Sequence, residues 1–224
     1  MACRCMLGKI SRCFMTTYSF FNRFFPATLL SFLVTPVAWA DVELWGGKPS
    51  LGLEFEHQKM AFGAGHANSL TLVPSLSFKD SFIHKVDVEI EAERENNIED
   101  GVNEKVHVKK LALRLRKNFE LNDTWEFFVR SLVGRELSTF ENFNYSYVDT
   151  GIHYENGAFG FMAGLRFQRT LDGTAGHDMK KFRFGPSYDF DAHHEIEFRF
   201  VRAWNVQTRK RDSDALIAEY TYKF

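Results

Sequence analysis

Ala215-Leu216-Ile217-Ala218-Glu219-Tyr220-Thr221-Tyr222-Lys223-Phe224 decides how the rest of the chain is read. Leu216, Ala218, Tyr220, Tyr222 and Phe224 share one parity; Ile217, Glu219, Thr221 and Lys223 share the other. Side chains of a strand repeat every two residues, so as a strand this segment has one apolar, aromatic face and one largely polar face. A soluble strand at the end of a chain rarely leaves a Phe exposed as its last residue. The apolar face therefore asks for an apolar environment.

Residues 1–40 contain Arg4, Lys9, Arg12 and Arg23 and no acid, then the apolar run 26–34, then Ala38-Trp39-Ala40 directly before Asp41. This is the pattern of a secretory signal peptide removed after Ala40, with an apolar core too short to span a membrane. The basic leader is long, which makes Met15 a second candidate start. Cys3, Cys5 and Cys13 all lie in this segment, so the mature chain has no cysteine, which excludes a disulfide scaffold and any cysteine-based metal site.

The expected mature domain, residues 41–224, is long enough for one domain. It keeps 24 Lys+Arg against 29 Asp+Glu, a net charge of −5, which argues against a nucleic-acid partner. No mature segment approaches ~20 consecutive apolar residues, so an exported chain that spans a membrane must do so as a closed barrel.

From residue 41 onward the period is 2 in segment after segment. The alternation predicts ten strands, over about 42–57, 67–78, 82–94, 104–119, 124–136, 143–154, 158–169, 179–190, 194–204 and 214–224. Short turns rich in turn formers (Lys79-Asp80-Ser81, Leu121-Asn122-Asp123, Glu155-Asn156-Gly157, Asp191-Ala192-His193) alternate with longer polar connections near 58–66, 95–103, 137–142, 170–178 and 205–213. Short periplasmic turns and longer extracellular loops are the asymmetry of transmembrane barrels, and an even strand count puts both ends on the periplasmic side. The fold class expected is thus all-β, a closed antiparallel transmembrane β-barrel of ten strands. A bend at Gly46-Gly47-Lys48-Pro49 leaves a count of twelve open.

Phe159, Phe161, Ala163, Leu165 and Phe167 form one outward row; Phe182, Phe184, Pro186, Tyr188 and Phe190 a second; Ile196, Phe198, Phe200 and Trp204 a third. Tilted strands of this length give roughly 20 Å of height, near the ~25 Å apolar band flanked by aromatic girdles. A soluble β-sandwich also alternates but has no reason to end its strands in aromatics at matched heights. Pro74 and Pro186 sit mid-strand and predict bulges or kinks, because Pro removes a ladder donor. Arg202 falls on the lipid parity and is expected to snorkel to the upper rim or to mark a bulge.

The inward parity holds the charges. An acidic wall is expected from Glu54, Glu56, Asp87, Glu89, Glu91 and Glu93, on strands one and three. A basic track is expected from Lys110, Arg114, Arg116, Arg130, Arg166, Lys181, Arg183 and Arg199. Glu126, Glu197 and Glu219 are scattered among the basic strands, and strand six presents Tyr145, Tyr147, Asp149 and His153 inward. Opposite walls across a water-filled lumen make a transverse field that orients polar solutes. Alternatively, strands three and four pair their charges and fill the lumen, as side chains do in small barrels.

The closing strand ending in Phe224, with the signal peptide, resembles bacterial outer-membrane β-barrels over the whole mature chain. Segments 119–125, Arg183-Phe184-Gly185-Pro186-Ser187-Tyr188 and Glu197-Phe198-Arg199-Phe200 are similar in style to the oligogalacturonate-specific porin family, small monomeric porins for acidic oligosaccharides. That resemblance implies Arg114, Arg130, Arg166, Arg183 and Arg199 as the substrate track; the family has twelve strands, where this sequence most readily gives ten.

The function expected is an outer-membrane channel passing small hydrophilic, acidic-oligosaccharide-like solutes by passive diffusion. The alternative is a closed structural or adhesive barrel with a salt-bridged lumen. Expected partners are outer-membrane lipid and lipopolysaccharide, the barrel-assembly machinery through the strand ending at Phe224, and small hydrophilic solutes. No cofactor, metal or catalytic set is expected. A protease of the omptin type would need Asp and His pairs on long loops; His177-Asp178 alone is a solvated turn. A lipid-modifying enzyme would need Ser and His together on the outward wall, and His84 has no such Ser. Gly63-Ala64-Gly65 opens no helix and cradles no phosphate.

Overall fold

The strands form where period-2 alternation runs and end where polar turn residues interrupt it. The computed structural model describes residues 43–61, 65–79, 81–99, 102–173 and 177–224; the signal peptide expected over 1–40 lies outside them. Ten strands follow one another: β1 Lys48–Met60, β2 His66–Ser77, β3 Lys85–Glu99, β4 Val102–Glu120, β5 Trp125–Ser138, β6 Asn142–Asn156, β7 Phe159–Thr170, β8 Met179–Asp189, β9 His194–Asn205 and β10 Arg211–Lys223. Each pairs antiparallel with its neighbours in sequence, and β1 pairs with β10 from Ser50 opposite Lys223 to Met60 opposite Ser213, so the sheet is a closed barrel. Closure leaves no unpaired edge, the condition for strands to cross hydrocarbon. Among the described residues no helix is long and apolar enough to cross a membrane.

The outward parity is an exposed apolar belt. Leu111, Leu113, Val133, Val148, Leu165, Phe167, Phe198 and Leu216 are all exposed on it, as are Phe159, Phe161 and Tyr188. So large and continuous an apolar surface marks a face that meets membrane rather than water. Tight turns close the opposite end. Asn122 Oδ1 accepts from the Thr124 and Trp125 N–H groups at 3.0 Å each. Asp191 Oδ1 accepts from the N–H groups of His193 and His194 at 2.8 and 2.9 Å, and the first of these bonds leads in holding its carboxyl below the ordinary value.

The count of ten holds, and three other expectations are corrected. The segment 46–49 does not split the first strand: Trp45 and Gly46 take positive φ in a turn closed by the Leu44–Gly47 bridge, and β1 runs unbroken from Lys48. The third strand begins at Lys85 and not near 82, with His84 N–H held by the Arg116 carbonyl at 2.9 Å. The expected loop at 95–103 is instead a tall hairpin, with Glu99 opposite Val102. Pro74 and Pro186 produce no bulge. Beside Pro74 the ladder passes from Leu72–Ile90 to Ser75–Asp87, and beside Pro186 from Phe184–Phe200 to Ser187–Glu197, both in unchanged register. Each proline forgoes bonds toward one neighbour while the flanking pairs hold the strand. At Gly185, next to Pro186, a Cβ would run into the Phe198 carbonyl, so glycine lets the two backbones stay close. The register shift that does occur lies between Arg211 and Ser213, opposite the segment that carries Arg202.

Inside, the Phe128 ring lies on the backbone of β6 and β7: a Cβ at Gly151 would stand 2.7 Å from Phe128 Cζ and 2.7 Å from Gly164 Cα. A Cβ there would also run into the Ala163 carbonyl oxygen, so Gly151→Val should cost about 1–3 kcal/mol through overpacking, read as a lower urea midpoint for unfolding from vesicles; an unchanged midpoint would show that the β7 backbone and Phe128 both shift to make room.

Candidate functional site: a salt-bridged lumen

The inward parity gathers charges in layers along the barrel. Toward the loop end lies a cavity of about 380 Å³, within the ~300–1,000 Å³ range of small-molecule sites. Met60, His177 and Asp212 line its loop end, and Arg114, Tyr147, Arg183 and Arg199 its deep end. Glu56, Glu91, Glu93, Lys110 and Lys181 lie along its wall. Lys110 Nζ binds Glu93 at 2.8 Å and Glu91 at 3.1 Å, with Glu136 at 3.9 Å. These pairs arise because β3 and β4 are adjacent, placing Glu91 directly opposite Lys110.

At the deep end of the cavity the lumen narrows to three ion clusters. In the first, Arg114 holds Asp87 at 2.6 Å and Glu89 at 2.5 Å, with Asp87 opposite Arg114 in the ladder. In the second, Arg199 of β9 reaches Glu219 of β10 and Glu54 of β1, at 2.5 Å each, and stands 3.5 Å from Glu197. In the third, Asp149 of β6 receives three arginines. Arg183 of β8 donates to its Oδ2, Arg130 Nε is 3.2 Å from that oxygen and Arg166 3.6 Å. Asp149 is 0 % exposed and Asp87 1 %, so water screens neither carboxylate appreciably. A pair removed from water loses several kcal/mol per ion and recovers it only through close partners; each of these carboxylates has one.

The clusters are unequal in sign. Around Asp149 three cations face one anion; around Arg199 three anions face one cation. The first sits on β5–β8 and the second on β9, β10 and β1, on different arcs of the closed strand order. The imbalance of charge thus lies between these two arcs. The carboxylates of β1 and β3 that were to form an acidic wall are largely matched: Asp87, Glu89, Glu91 and Glu93 by β4, Glu54 by Arg199.

Of the basic track, Arg114, Arg130, Arg166, Arg183 and Arg199 come together at the narrowing. Lys110 and Lys181 stand higher, along the cavity. Arg116 stands lower, its guanidinium 5.0 Å from the Phe128 centroid, with that of Arg130 at 4.6 Å. Phe128, 1 % exposed, and Met162 fill the barrel there. Arg166 stacks over Tyr147 at 3.7 Å. Glu56 faces the cavity and has no salt bridge among the described residues. The hub Asp149 is absent from the expected track, as is Tyr147. The signal for Asp149 was present: a lone acid on an inward row, flanked in register by Arg130 and Arg166. Among the described residues no cluster of His, Cys, Asp or Glu could hold a metal ion.

No protein-family model matches the chain, and no curated protein matches it. Among solved structures, it is similar to an outer membrane channel from Pseudomonas putida F1, at 12 % identity over 85 % of this chain and 100 % of that one, with a TM-score of 0.53. The fold is that of a bacterial outer-membrane β-barrel. Lower likenesses include the NanC porin, at 9 % identity over 77 % and 100 % with a TM-score of 0.47. Another is the translocator domain of the autotransporter NalP from Neisseria meningitidis, at 10 % identity over 88 % and 96 % with a TM-score of 0.46.

Asp149→Asn would leave three buried guanidiniums without their anion, a loss of about 3–5 kcal/mol for a broken buried pair. Unfolding from vesicles by urea measures it; a loss under about 1 kcal/mol would mean that water already compensates the arginines.

Proposed function

We propose that this protein is a narrow outer-membrane channel that passes small hydrophilic solutes by passive diffusion, with the layer of paired arginines as its constriction. The observation that carries the reading is the charged lining. Side chains of both signs continue from the cavity into the narrowing, and what closes the path includes rotatable guanidiniums as well as the Phe128 ring. Charged constrictions with offset fields select solutes by size and dipole. The fold neighbour from Pseudomonas putida, itself an outer membrane channel, is consistent with this use of the barrel.

The excess of cations around Asp149 supports acidic solutes, because guanidinium binds carboxylate in bidentate geometry. A solute carboxylate entering there would exchange with Asp149 among arginines already held in place. Arg166 and Arg183 are reached first from the cavity, which both line.

A closed barrel with structural or adhesive work is the second reading, and the burial of Asp149, Asp87 and Phe128 favours it. Single-channel recording in planar bilayers separates the two. The wild-type barrel should give conductance steps. Arg183→Ala, which leaves Asp149 two arginines, should raise conductance roughly twofold and shift the reversal potential away from anions. Stable insertion without steps in either protein would defeat the channel reading; steps with an unmoved reversal potential would remove the acidic-solute preference alone.

A further inference from the structure

At the loop end of β7–β10 the outward parity changes from aromatic to cationic. The outward row of β7 runs through Phe167 and ends in Arg169, that of β9 runs through Phe198 and Phe200 to Arg202, and β8 and β10 enter with Lys180 and Arg211. Register puts Lys180 opposite Phe167 and Trp204, Trp204 opposite Arg211, and Arg202 opposite Asp214. The four cations thus occupy four consecutive strands at the upper margin of the apolar belt. Lys180 Nζ is 5.8 Å from the Phe167 centroid and the Arg202 guanidinium 5.6 Å from that of Phe200.

Two carboxylates stand among them. Asp214 lies 2.8 Å from Arg202 and 3.6 Å from Arg211, and Asp178 lies 4.0 Å from Arg169. Lys180 has no salt bridge among the described residues and is exposed, as are Arg169 and Arg211. Two positive charges therefore remain unmatched on the outside of a chain whose acids outnumber its bases. Snorkelling alone explains single cations at such a level. It does not explain four on adjacent strands with Asp214 fixing two guanidiniums side by side.

We infer that this patch docks a phosphorylated glycolipid of the outer leaflet, its phosphates held by Lys180, Arg202 and Arg211 and its acyl chains lying on Phe167, Phe182 and Phe200. Charge complementarity and depth choose the occupant: a phosphate joined to hydrocarbon puts its anion at the rim and its chains on the outward rings directly below, of which Phe167 and Phe182 are exposed. The inference rests on loops facing outward, as in the channel reading, and not on conduction.

Native mass spectrometry of the full chain extracted from outer membranes, with bisphosphorylated lipid A added, tests it. Dephosphorylated lipid A and inorganic phosphate serve as comparison probes, and heat-modifiable migration on gels reports folding. Lys180→Gln should weaken lipid A binding roughly fivefold, and adding Arg169→Gln, Arg202→Gln and Arg211→Gln should abolish its retention, at about fivefold per unmatched cation near a charged surface. Lys117→Gln, outward on β4 near the turn end, should change nothing. Equal retention of dephosphorylated lipid A, or unchanged binding by Lys180→Gln, would overturn the docking site. Displacement by millimolar inorganic phosphate alone would overturn the glycolipid as its occupant. A barrel that fails to conduct but still loses lipid A on substitution would sink the channel and leave this site standing.

Discussion

Every other feature of the barrel depends on the ladder between β1 and β10. Inside hydrocarbon, an unpaired peptide group costs several kcal/mol, and a sheet avoids that cost across its whole width only when its first and last strands meet. The pairing from Ser50–Lys223 to Met60–Ser213 achieves this. Once closed, alternation leaves each side chain one of two environments. Leu216 and Tyr220 go to lipid, while Glu219 goes inward to meet Arg199.

Ten strands set the width, and the width sets the chemistry of the lumen. Side chains as long as arginine reach past their neighbouring strand, so Arg183 crosses β7 to reach Asp149 on β6, and Arg199 spans β10 to reach Glu54 on β1. In a wider barrel the same residues would line a water-filled wall and be screened. Here they are enclosed, and burial makes each charge require a partner. The aromatic packing below obeys the same geometry. Phe128 fits because β6 and β7 offer glycine backbone where it lies, and its ring face receives Arg116 and Arg130.

Charge is therefore partitioned by radius as well as by height. Acids concentrate inward, where bases meet them, while cations at the loop end of β7–β10 face outward above the aromatic belt. Inward and outward charges on one strand thus have different surroundings, the cavity on one side and the rim of the apolar belt on the other. Substitutions at Arg183 and Lys180 act on different contacts, since one points in and the other out on nearby positions of β8.

How much was legible in the residues follows from period 2. Alternation is local, so ten strands, their turns, the outward rows and the inward charges could be read from sequence, with β3 misplaced at its start because Phe82 and Ile83 continue an apolar pattern through a connection. Pro74 and Pro186 misled because a ladder held on both flanks tolerates a missing donor without inserting a residue. Parity says which way a side chain points but not what it meets across the barrel. Arg130 and Arg166 were legible as inward; that both converge with Arg183 on Asp149 was not, because the meeting depends on closure, stagger and tilt. The sequence by itself determined membrane and lumen faces, since each is decided residue by residue. Only the tertiary structure decided that the acidic and basic rows would neutralise one another over most of the wall and leave their imbalance at Asp149 and Arg199, since contact across a lumen depends on its diameter.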